Sequence, residues 1–128
     1  MAVVALGIDL ARIERMEGAL ARRGQRFKDR VFTPGEQHYC DVRKAAGASY
    51  AGRFAVKEAV MKMLGTGWAR GVRWVDIEVV REPGQAPTVA LHGRTSEIAH
   101  ERGIARVHIS ITHDAGIAAA VAIGETGD

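Results

Sequence analysis

Residues 46–67, AGASYAGRFAVKEAVMKMLGTG, hold no proline and are mostly helix formers, with Phe54, Met61 and Leu64 forming an apolar stripe. The stretch predicts the longest helix of the chain, Ala46 to Leu64, stopped by Gly65-Thr66-Gly67. Within it Glu58 and Lys62 stand four residues apart and share a face, and Gly65 lies close to the same line. Two readings of that pair stay open. One is a solvated ion pair worth roughly a few tenths of a kcal/mol, with Lys57 a neighbouring surface lysine. The other is a carboxylate holding a divalent cation while the ammonium neutralises phosphate oxygens.

On the N-terminal side, Val3 to Ile8 is a short β-branched apolar run closed by Asp9, the pattern of a buried strand. Ala11 to Arg23 carries Ile13, Met16 and Leu20 at helical spacing, which predicts an amphipathic helix ended by Gly24. Thr33-Pro34-Gly35-Glu36 is a capping box with proline at the first helical position, so a short helix runs on through Tyr39.

On the C-terminal side the period switches. Trp74–Arg81 and Thr88–Leu91 read as strands around the turn pair Pro83-Gly84, and Arg94–Arg102 as a short helix closed by Gly103. Val107–Thr112 and Ile117–Ile123 then predict an antiparallel hairpin around His113-Asp114-Ala115-Gly116. Strands that follow helices without βαβ alternation indicate an α+β class. At 128 residues and 47% hydrophobic, the chain is one domain, 1–128, with a modest core.

The net charge of +3 is unevenly placed. Between Arg12 and Arg30, seven basic residues against three acidic ones leave +4, so the rest of the chain carries −1. That arginine-rich segment is an expected docking face for an acidic partner. A basic nucleic-acid-binding module is the alternative, since the sequence pI is near 9.4. Against it, Trp68, Trp74, Tyr39 and Tyr50 are not interleaved with the arginines, which leaves no stacking platform. The single cysteine, Cys40, rules out an intrachain disulfide, and no leader-like or membrane-length apolar run occurs; the expected setting is the cytoplasm, without a membrane partner.

Other side chains with chemical potential are few. Asp9 ends a strand, where a carboxylate can be held rigidly as a second cation ligand, or can cap the Ala11 helix. His113 in HISITHD can meet a phosphate or simply occupy a turn. Gly65-Thr66-Gly67 lacks the spacing of a P-loop.

Three blocks together resemble one family. GIDLARIER at 7–15, AGRFAVKEAVMKMLGTG at 51–67 and HISITHD at 108–114 are similar, in order and separation, to the holo-acyl-carrier-protein synthases of the 4′-phosphopantetheinyl transferase superfamily. The resemblance runs through nearly the whole chain, and Phe-x-x-Lys-Glu-Ala-x-x-Lys is its most specific part. It implies helices packed on a bent antiparallel sheet and a homotrimer with active sites between subunits. It also implies Mg²⁺-dependent transfer of 4′-phosphopantetheine from coenzyme A to a serine of an apo acyl carrier protein, in support of fatty acid biosynthesis.

By the same resemblance, Asp9 and Glu58 match the metal ligands, and Lys62 the lysine near the leaving diphosphate oxygen. Glu58, or a water it orients, takes the serine proton. Arg53, Gly65, Thr112 and His113 match positions lining the coenzyme pocket, with His113 supplied by a neighbouring subunit. Arg15 matches the arginine that meets the carrier, and Arg22 extends that surface. Two departures stand out. The family's Gly-x-Pro is here Gly84-Gln85-Ala86-Pro87, which shifts the pocket wall at Pro87, and Ile117 stands where many members carry tyrosine.

Overall fold

The computed structural model describes residues 1–127. Strand β1 (Val3–Arg12) leads into α1 (Ile13–Val31), α2 (Pro34–Asp41) and α3 (Ala46–Leu64). After a 3₁₀ turn at Trp74–Asp76 come β2 (Ile77–Val80), β3 (Thr88–Leu91), α4 (Gly93–Glu101), β4 (Arg106–Asp114) and β5 (Ile117–Glu125). All pairing is antiparallel, in a three-stranded sheet of order β1-β5-β4 and a two-stranded β2-β3 ribbon. The α+β class therefore holds.

The long helix has the bounds its composition predicts, and Gly65 caps it in the left-handed conformation at φ 74°. It lies across β1 and β5, and the sheet admits it because the residues beneath it are small. Ala118, Ala120 and Ala122 of β5 are buried under it. Gly7 of β1 leaves no room for any side chain, since a Cβ there would stand 2.0 Å from the Ala59 carbonyl oxygen and 2.7 Å from the Met63 nitrogen. The backbones of β1 and α3 thus touch, and that contact sets how near their side chains come. Leu64, Ile77 and Ile98 close the core around α3, each fully buried aliphatic residue stabilising the fold by roughly 1.5–3 kcal/mol.

Several boundaries move from the sequence expectation. β1 continues to Arg12 because it pairs with β5 along its whole length, down to Arg12 opposite Ile117. The first helix starts at Ile13 and does not end at Gly24. That glycine takes a left-handed φ of 66° and kinks the chain, after which the helix resumes to Val31. Burial of Val31 and Phe32 explains the resumption, for both join a second cluster with Met16, Cys40, Tyr50 and Ala51. Trp74–Asp76 is a 3₁₀ turn, not strand: Trp74 stacks on Phe54 with centroids 5.0 Å apart and Asp76 is tied to Arg73. Between β4 and β5, Ala115 and Gly116 both have positive φ, as a two-residue type I′ turn requires.

Lys57 is the largest correction. Read from sequence as a surface lysine, it is fully buried, because α3 is wrapped on nearly every side. Its ammonium donates to Glu36 Oε1 at 2.8 Å, to the Trp74 carbonyl at 3.0 Å and to the Ile77 carbonyl, filling all three donor positions. Glu36, equally buried, also accepts from the backbone N–H of Thr33 and of Val79, both at 2.9 Å. The capping box foreseen at Thr33 is present, and its glutamate doubles as the partner of a buried cation. Burial pulls the Lys57 pKa down, and the charge and hydrogen bond of Glu36 oppose that pull.

Candidate active site

Alternation along β1 sorts its side chains. Val4, Leu6, Ile8 and Leu10 face away from α3 and are exposed, Leu6 by 63%. Gly7 and Asp9 take the other parity, so the Gly7 contact brings Asp9 to the face of α3 that carries Glu58 and Lys62. There the Lys62 ammonium donates to Asp9 Oδ1 at 2.6 Å and to the Ile8 carbonyl at 3.2 Å. The surface Glu58–Lys62 pair is not what forms. Lys62 reaches across to the strand, and the capping role open to Asp9 is not taken, since α1 begins four residues later without a side-chain cap.

Glu58 is half-buried and hydrogen-bonds Asp9. Burial, then that bond and the Asp9 charge, push its carboxyl up to about 7, while Lys62 and Arg15 pull the other way. Two carboxyl groups from different elements thus meet beside a lysine, and Glu58 keeps its proton to higher pH than an exposed glutamate. With both ionised they repel, and a hard divalent ion relieves that repulsion. The donor set suits Mg²⁺, which takes one or two carboxylates and fills its remaining positions with water and substrate phosphates.

The proton at Glu58 makes a pH prediction with a definite sign. Its folded pKa of about 7 lies above the ordinary 4.5, so in metal-free protein its contribution to stability is complete below pH 4.5 and is lost as pH rises through 7. A divalent cation needs the deprotonated form. Titrations with Mg²⁺ alone, followed by Tm, are expected to show tighter binding from pH 6 to pH 8 and a plateau above. Equal affinity across that range would contradict the raised Glu58 pKa.

Further along α3, Arg53 is buried with its guanidinium 3.9 Å from the Tyr39 ring centroid, and its Nε lacks a hydrogen-bond partner. Arg43 lies 4.0 Å from the same ring. Among the described residues neither arginine meets a carboxylate, so the two cations around one aromatic ring form a place where an anion is favoured. A shallow depression continues from Tyr39 and Arg43 to Arg81, Pro83 and Gly84 at the β2-β3 turn. Pro87 sits beyond it, half-buried at the entry to β3. Sequence reading passed over Tyr39 and Arg43, although their four-residue spacing at the end of α2 was the available signal.

His113 lies against the first turns of α3 in its own chain, its Nε2 3.0 Å from the Ala48 carbonyl and packed over Gly52. Arg53 is the next residue on that helix. Thr112 is exposed on β4 opposite Ala119. Arg15 and Arg22 are exposed on α1, and Arg15 is near enough to act on the Glu58 carboxyl, so the arginine face borders the carboxylates.

A family profile described as the 4′-phosphopantetheinyl transferase superfamily matches residues 5–122. The chain belongs to that superfamily. A holo-[acyl-carrier-protein] synthase of Anaeromyxobacter sp. (strain K) is 46% identical over 126 residues, covering 96% of both chains. One from Moorella thermoacetica is 48% identical over 120 residues, covering 94% of this chain and 92% of its own. Among solved structures, holo-[acyl-carrier-protein] synthase of Neisseria meningitidis aligns with a TM-score of 0.88 at 26% identity, over 98% of this chain and 100% of that one. The Helicobacter pylori protein, crystallised in complex with coenzyme A, aligns with a TM-score of 0.82 at 33% identity, over 94% and 99%. The superfamily expected from the three sequence blocks is therefore the one the chain belongs to, and its fold is theirs.

Proposed function

We propose that this chain transfers the 4′-phosphopantetheine group of coenzyme A to a serine hydroxyl of an apo acyl carrier protein, releasing adenosine 3′,5′-bisphosphate. The reading rests on one observation above the others: Asp9 from β1 and Glu58 and Lys62 from α3 converge on one point. The coenzyme bound to the Helicobacter pylori relative supports the donor.

Asp9 and Glu58 would hold Mg²⁺. When bound, the cation neutralises diphosphate charge and polarises the phosphorus under attack. Lys62 sits where the bridging oxygen gathers charge as its bond to phosphorus breaks, and stabilises that charge. The Asp9 contact holds the Lys62 ammonium in its charged form by raising its pKa. The serine proton passes to Glu58, directly or through a water that it orients. Arg53, with Arg43 beside it, meets the anionic nucleotide end of the coenzyme, and Gly65, Pro87, Thr112 and His113 line its pocket.

The acidic carrier docks on α1 through Arg15 and Arg22. An Arg22→Glu variant is expected to raise the KM for the carrier about tenfold and flatten its salt dependence, leaving the KM for coenzyme A unchanged. Equal loss toward both substrates would move the docking surface elsewhere. We further place the reaction in fatty acid biosynthesis in the cytoplasm, on a homotrimer. The apolar row Val4, Leu6, Ile8 and Leu10, exposed on an edge strand, is the surface that supports subunit contacts.

Mass spectrometry of apo carrier proteins incubated with this protein, coenzyme A and Mg²⁺ tests the central reading. The expected product is the phosphopantetheinyl-serine adduct, absent when EDTA replaces the metal. No adduct on any of several carriers would overturn it.

A further inference from the structure

The glycine that ends α3 has a neighbour from a distant part of the chain. A Cβ built on Gly65 would stand 3.0 Å from Nη1 of Arg102 and near nothing else, so the space over Gly65 belongs to that guanidinium. Arg102 closes α4, where its backbone N–H bonds the Ile98 and Ala99 carbonyls. Its side chain is uncommitted, with no hydrogen bond, ion pair or ring contact among the described residues.

Other arginines of the chain differ. Arg94, on the same helix, takes both Glu97 and Glu101, Arg73 takes Asp76, and Arg106 takes Glu125. The Arg102 guanidinium, unpaired among the described residues, stands beside Gly65, one turn beyond Lys62. A planar fork of donors in such a place suits paired phosphate oxygens, which a lysine meets only as a point charge. Glycine at 65 has two reasons: its φ of 74°, and the room its missing side chain leaves for the guanidinium.

We infer that Arg102 is a further contact for the diphosphate of coenzyme A, acting with Lys62 across Gly65. This rests on the transferase reading above and adds a binding residue from α4, which none of the three sequence blocks contains.

The test compares intact wild-type protein with Arg102→Gln and Arg102→Lys, using Mg²⁺, coenzyme A and an apo carrier. Arg102→Gln is expected to raise the KM for coenzyme A about tenfold with a much smaller change in kcat, and to weaken coenzyme A binding in calorimetry without carrier. Arg102→Lys restores part of the loss, and the carrier KM stays put. An unchanged coenzyme KM in Arg102→Gln overturns the inference, as does a lowered Tm as its only effect, which would make Arg102 a cap for the α3 carbonyls. If wild-type protein forms adduct and Arg102→Gln matches it, this inference alone fails; if wild-type protein forms none, the transferase reading fails with it.

Discussion

Asp9→Ala and Glu58→Gln are each expected to lower the rate of phosphopantetheine transfer by roughly 10²–10³-fold while the protein stays folded, the scale on which single charge-stabilising groups act in active sites. The reason is in the geometry. The two carboxyls come from separate elements, and Glu58 carries a pKa of about 7 because burial, and then Asp9, disfavour its charged form. Either substitution removes that crowding, and the metal-free protein at neutral pH gives up at most the Glu58–Asp9 hydrogen bond and, in Asp9→Ala, the Asp9–Lys62 pair. That pair joins an exposed lysine and contributes little to stability. Activity and stability should therefore separate. Transfer rates at saturating Mg²⁺ and melting curves without it measure the two; full activity in either variant would remove Asp9 and Glu58 from the metal site.

The largest effect on stability is expected at a residue that touches no substrate. Lys57→Met leaves the Glu36 carboxylate buried without its cation, which costs roughly 3–5 kcal/mol. In a chain of this size that corresponds to a fall in Tm of roughly 10–20 °C. The loss should come mainly from the stranded charge. The double variant Lys57→Met with Glu36→Gln removes the stranded charge but keeps a single oxygen for the Thr33 and Val79 N–H groups, which bond different oxygens of Glu36, so it is expected to recover part of the loss. A Tm within about 3 °C of wild type for Lys57→Met would mean that water reaches Glu36. The same pair ties α2 to α3 and fixes the roll of the long helix, so that Lys57 points inward while its neighbour Glu58 points to Asp9.

The Glu36–Lys57 pair also illustrates where sequence reading stopped. The capping box was legible because its residues are three apart and its bonds are local. That the same glutamate meets a lysine 21 positions away depends on how α2 packs on α3, and no local pattern records it. Asp9 and Lys62 are 53 positions apart and pose the same problem. Resemblance to a family brought them together on paper; only the backbone contact at Gly7 gives the physical cause.

Local chemistry in the sequence determined the extent of α3, the proline-led start of α2, the hairpin turn before β5, the α+β class and the arginine surplus on the first helix. These follow from interactions within a few residues or from plain counting. The tertiary structure alone decided that Lys62 turns to Asp9 and not to Glu58, that Lys57 is core, that the first helix survives Gly24, and that Arg102 lies over Gly65. Each of these is a choice between partners distant in the chain. Helical spacing offers Lys62 a partner at Glu58, but a partly buried strand carboxylate, held in place by the close approach of β1 to α3, lies nearer and competes better.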